Sequence, residues 1–112
     1  MIKAPIIAGF VLSSVLFFAA SSICAADLAA GKAKAEMVCQ TCHGMDGRAS
    51  IAMVANIGGQ QKQYLIKQLE AYRSGQRQHA QMSIIAQMLS PEDIDNVTEW
   101  YAHIIATFEI PE

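Results

Sequence analysis

Cys39-Gln40-Thr41-Cys42-His43 is the stretch of this chain whose residue types and spacing can do chemistry. Two thiols lie about one helical turn apart, and an imidazole follows the second directly. That is the pattern of a c-type haem attachment site. Haem carries two vinyl groups on neighbouring pyrroles, and each can close a thioether with one cysteine. The adjacent imidazole then lies under the ring, with the Nε2 of His43 placed to bind the iron.

Other chemistries also use close cysteine pairs. Thioredoxin-like dithiol enzymes place the pair at the start of a helix that follows a strand, where the helix N-terminus lowers a thiol pKa. Here Ala29 to Val38 reads as helix and the cysteines come at its C-terminal end, with no strand pattern before them. A zinc site could draw on Cys39, Cys42 and two of His43, His79 and His103. Structural zinc sites usually supply a second close pair, however, and these other two histidines are isolated. An inert structural pair of thiols is the weakest of the alternatives.

The elements that must position this motif read as helices joined by short glycine-containing loops, without the alternation of a sheet. The first helix starts near Asp27 or Leu28, with Asp27 as its cap, and runs to Cys39. Gly44-Met45-Asp46-Gly47-Arg48 turns the chain away after His43. Gly58-Gly59 precedes a second helix over Gln61 to Arg73, with an apolar stripe of Leu65, Leu69 and Tyr72 and Tyr64 alongside. A short helical turn covers Ser83 to Leu89. Ser90-Pro91-Glu92-Asp93 then opens a last helix, with Ser90 as N-cap, Pro91 at the first position and acids in the first turn. It is expected to reach Thr107, burying Ile94, Val97, Tyr101, Ile104 and Phe108. Trp100 beside that stripe reads as a core aromatic rather than an electron relay.

With 112 residues the chain allows one domain, and its 53% hydrophobic fraction is inflated by its N-terminus. Lys3 precedes an uncharged run to Ala26 that includes Ile6 to Leu12 and Val15 to Phe18, and Ser21 to Ala26 are mostly small. This is the order of a secretory signal, with cleavage after Ala25 or Ala26. A retained anchor is the alternative reading of the same run. Cys24 follows bulky Ile23, which disfavours lipid attachment, so it is expected to leave with the leader. The mature domain then keeps only the two motif cysteines and no structural disulfide. Under ninety residues make a marginal apolar core, and a covalently attached haem would staple it.

Three stretches carry a resemblance to the class I c-type cytochromes, nearest to small bacterial monohaem members and to one half of their dihaem relatives. They are Cys39 to Gly47; Gly58-Gly59-Gln60 with Tyr64-Leu65 and Gln68-Leu69; and Met82 through Leu89-Ser90-Pro91-Glu92-Asp93-Ile94. The resemblance implies an all-α class I cytochrome c fold of three to five helices around one covalent haem c, with residues 1–25 as leader and 26–112 as the domain. It implies crossing first and last helices, and a methionine from the loop before the last helix as sixth iron ligand. Met82 matches that position, ahead of Met88, His79 and Met53; Met88 is expected in the core. Thioether sulfur favours Fe(II), so His/Met ligation raises the reduction potential relative to two histidines. Relatives place a proline where this chain has Ala55, whose carbonyl can still accept the N–H of His43. Gln60, Tyr64 and Arg48 are candidates for the haem propionates.

The reading that follows is an exported, periplasmic, monohaem electron carrier that is not itself an enzyme. Its partners would be redox proteins, with no nucleic acid and no membrane after leader cleavage. A subunit of a larger dehydrogenase or reductase is the alternative within haem chemistry, and a haem sensor or peroxidase would need Met82 off the iron. Charge is uneven along the mature chain. Residues 27–90 carry seven bases against four acids, whereas 91–112 carry six acids and no base. If the basic segments flank the haem edge, Lys62 and Lys67 would steer an acidic partner.

Overall fold

The computed structural model describes Met1 and residues 25–112. All of the expected leader, residues 1–25, except Met1 and Ala25 lies outside the described residues. The described residues form five helices: α1 (Leu28–Val38), α2 (Gln40–His43), α3 (Lys62–Ser74), α4 (Met82–Met88) and α5 (Pro91–Ala102). Among the described residues there is no strand, so the domain is all-α. No described helix is long and apolar enough to cross a membrane.

α1 begins where its sequence says it should. Asp27 Oδ1 accepts from the N–H groups of Ala29 and Ala30 at 2.9 and 3.1 Å, satisfying two donors that the first turn leaves open. The helix then crosses α5 at Gly31, where the backbones meet so closely that a Cβ would lie 2.0 Å from the Asn96 carbonyl oxygen. Buried Asn96 reinforces the crossing, because its Oδ1 accepts from the Asp27 N–H at 2.7 Å. Lys34 of α1 also pairs with Asp93 of α5 at 3.0 Å.

Ser90 and Asp93 form a reciprocal capping box at the start of α5, with Pro91 at the first position. Ile94, Val97 and Tyr101 are buried as their spacing requires. The helix nevertheless stops at Ala102, five residues short of the expected Thr107. The Tyr101 carbonyl is taken by Gly59 N–H at 2.9 Å, and the chain beyond runs back over Gly59. Ile104 still packs on the core, but Phe108, the next position of the apparent stripe, is 90% exposed.

α3 buries Leu65 and Tyr72 and ends on Gly75 at φ 82°, the left-handed cap that glycine adopts without a steric penalty. At its start Lys62 reaches both Asp95 and Glu99 of α5 at 2.7 Å. Burial works against the ammonium charge, but the two carboxylates outweigh it and hold Lys62 above its ordinary value. Lys62 therefore ties α3 to α5 and is not a free docking charge. α4 buries Ala86, and its C-cap residue Leu89 is buried too, but Met88 is 64% exposed and does not fill the core as expected. The central cluster is small: Ala35, Leu65, Val97 and Tyr101, with Cys39, Met45, Ile57, Leu69, Trp100 and Ile104 against it.

Candidate haem site

α1 delivers the motif. Cys39 is its C-cap, with its N–H donating to Ala35 O at 3.0 Å, and the single turn of α2 follows at once, carrying Cys42 and His43. Gly44 at φ 72° and Gly47 at φ 70° then fold the chain back. This turn is packed against the Gly58 loop so tightly that a Cβ on either Gly47 or Gly58 would fall 2.1 Å from the facing backbone. Gly47 O accepts from the N–H groups of Ile57 and Gly58 at 2.8 and 3.2 Å.

The loop between these two turns brings Ala55 to His43. His43 Nδ1 lies 2.8 Å from the Ala55 carbonyl oxygen. A carbonyl can only accept, so Nδ1 carries the proton and Nε2 keeps its lone pair for a ligand. The alanine that stands in place of a proline thus leaves the bond in being. Further back, the Asn56 side chain accepts from Ala49 N–H at 2.8 Å and helps to shape the loop.

Two aromatic residues of α5 hold the segment after His43, and their polar contacts could not be read from spacing. Tyr101 donates its hydroxyl to Gly44 O at 2.9 Å, and Trp100 Nε1–H donates to Met45 O at 3.1 Å. Burial, with Cys39 beside it, keeps the Tyr101 hydroxyl well above its usual range. Burial likewise pushes the Cys39 thiol up to about 11, against smaller opposing effects of Tyr101 and Lys34. A thiol so raised is the reverse of the low-pKa nucleophile a dithiol enzyme needs. Among the described residues there is also no group of three or more His, Cys, Asp or Glu side chains suited to a metal ion.

The remaining candidates are placed as follows. Met82 is half-buried and is the first residue of α4 rather than part of a loop. Met53 is fully exposed, at φ 69° in the loop before Ala55. Gln60 turns its Oε1 to its neighbour's Gln61 N–H at 2.8 Å, and it lines one depression together with Arg48. Tyr64, on α3, does not line that depression and is 48% exposed. His79 and His103 stand apart from the motif, His103 at the end of α5 beside Glu99 and His79 before α4.

The donor set fits covalent haem c: two free thiols one turn apart, and an imidazole whose tautomer leaves the lone pair on Nε2. Comparison with known proteins agrees. The chain is 41% identical over 81 residues to cytochrome c-554(548) of Halomonas halodenitrificans, covering 70% of this chain and 96% of that protein. It is 36% identical over 78 residues to cytochrome c4 of Pseudomonas aeruginosa, of which it spans 38%. It is also 40% identical over 69 residues to the thiosulfate dehydrogenase electron acceptor of Stutzerimonas stutzeri, covering 59% of this chain and 32% of that one. The family model for cytochrome c matches residues 28–104, the whole span from α1 to the end of α5. The chain is an electron-transfer protein that binds covalent haem c, and it belongs to the cytochrome c family.

Proposed function

We propose that this protein is an exported carrier of single electrons, ligated through His43 and Met82 and working in the periplasm. The observation that supports it most is the 2.8 Å contact from His43 Nδ1 to Ala55 O. It fixes the orientation and tautomer of the ring, as the partner of a metal-bound histidine does. Cys39 and Cys42 would hold the haem through thioethers, His43 through Nε2 and Met82 through its sulfur. When bound, the group supplies the Fe(II)/Fe(III) couple.

The chain's own residues do the rest. Tyr101 and Trp100 fasten the backbone after His43 to α5, which would limit movement on the proximal side. Ile51, Met53, Ile84 and Met88 expose apolar surface on the segments that carry Ala55 and Met82, area suited to a large flat apolar group. A second reading has the protein receive electrons from a particular dehydrogenase, and the Stutzerimonas stutzeri relative of that description favours it.

The test is a redox titration of the purified protein joined to the near-infrared spectrum of its oxidised form. A reversible one-electron wave and a weak sulfur-to-iron band are expected. Met82→Ala should abolish the band and Met88→Ala should leave it. Loss in Met88→Ala instead would show that the ligand has been placed six residues too early.

A further inference from the structure

The segment between α3 and α4 is fastened more heavily than its length requires. Arg77 lies over the Tyr72 ring, 4.6 Å from its centroid, and its Nη1 donates to Gln68 Oε1 at 2.6 Å. The Arg77 N–H donates to Ala71 O at 2.9 Å. On the same buried tyrosine the ring of His79 stands edge-on, with centroids 6.4 Å apart and planes at 72°. Tyr72 of α3 thus anchors both Arg77 and His79 of the segment.

His79 passes that anchorage on to α4. Its Nδ1 lies 3.2 Å from the backbone nitrogens of both Gln81 and Met82. Its backbone N–H donates to Ser83 Oγ at 3.0 Å, and its carbonyl accepts from Ser83 N–H at 3.0 Å. Gln81, at the cap position of α4, makes no side-chain capping bond. The imidazole supplies what the cap residue does not, an acceptor for the N–H groups that open the helix.

This geometry also settles what His79 is free to do. A backbone N–H can only donate, so Nδ1 must be the bare nitrogen and Nε2 must carry the proton. Neither nitrogen then has a lone pair to spare for iron.

We propose that His79 is a positioning residue for the distal ligand: its Nδ1, braced on Tyr72, holds the Met82 backbone at the mouth of α4. The inference rests on Met82 as that ligand. An asparagine at position 79 would reproduce it, because an Asn side-chain oxygen accepts from the N–H groups two and three residues on, the same pair that His79 serves.

The experiment uses the haem-loaded protein and its Met82→Ala, His79→Ala and His79→Asn variants. The readouts are the sulfur-to-iron band and the rate at which imidazole binds the oxidised form, a rate set by release of the methionine. His79→Ala should speed imidazole binding about fivefold, the equivalent of one lost helix cap. Its band should vanish at a lower guanidinium concentration than its helical signal. His79→Asn should bring both back to within about twofold of the parent. A general loss of stability would instead move band and helix together. An unchanged rate in His79→Ala, or no recovery in His79→Asn, overturns the proposal so long as Met82→Ala lacks the band. A band that survives Met82→Ala overturns the ligand assignment beneath it.

Discussion

A single methyl group added at Gly31 would strike the α1–α5 crossing at its tightest point. In an exposed helix interior, glycine to alanine stabilises by about 0.5–1 kcal/mol, because alanine surrenders less backbone entropy. Packing at this crossing demands the opposite sign. The new Cβ would sit 2.0 Å from Asn96 O and 2.7 Å from Asn96 C, against an ordinary contact of 3.4 Å, so the helices would have to part by about 1.4 Å. Overpacking of that order costs about 1–3 kcal/mol. It would also stretch the 2.7 Å bond from Asp27 N–H to Asn96 Oδ1, worth about 1 kcal/mol. Gly31→Ala should therefore destabilise the protein by about 1–3 kcal/mol net of the propensity gain, a large share of the 5–15 kcal/mol typical of a domain. Guanidinium unfolding followed by far-ultraviolet circular dichroism measures it, with exposed Ala33→Gly as the propensity control. A Gly31→Ala protein that gains stability would refute the close crossing of α1 and α5.

Two further expectations come from charge. The Ser90 N–H first, with burial opposing and Lys34 adding to it, holds the Asp93 carboxylate below its usual range. Its contribution is thus present above the ordinary carboxylate pKa and is lost as pH falls through the depressed value; Asp93→Ala should cost about 1 kcal/mol at neutral pH and flatten the acid limb of the stability curve. Lys62→Met should cost about 1 kcal/mol and weaken the salt dependence of stability, while Lys62→Glu, facing Asp95 and Glu99, should cost more; a Lys62→Glu protein as stable as the parent would return that lysine to the docking surface.

Much of this architecture is legible in the chain because its signals are local. Asp27, Ser90-Pro91 and Ser74-Gly75 mark helix ends through capping that depends on neighbours in sequence, and the structure puts the ends there. The attachment motif is legible for the same reason, since vinyl spacing is a property of five consecutive residues. What spacing cannot show is competition from elsewhere in the fold. The periodicity of Ile94 to Phe108 continues past Ala102, but Gly59 takes the Tyr101 carbonyl and the chain leaves the helix. Lys62 reads as one base in a basic segment until α5 brings two carboxylates to it. Tyr101 reads as a buried stripe residue, and only the packed structure shows its hydroxyl on Gly44 O, one residue beyond His43.

Closure of thioethers from Cys39 and Cys42 to a haem is open to direct test in one preparation. The protein is expressed with haem-maturation machinery, its reduced visible spectrum is recorded, and the denatured chain is run on a gel stained for haem. Sharp reduced bands are expected, with stain at the mass of the chain that is lost when both cysteines are replaced by alanine. A colourless protein whose two thiols titrate as a redox pair would show that no thioethers form and that the pair is a dithiol centre.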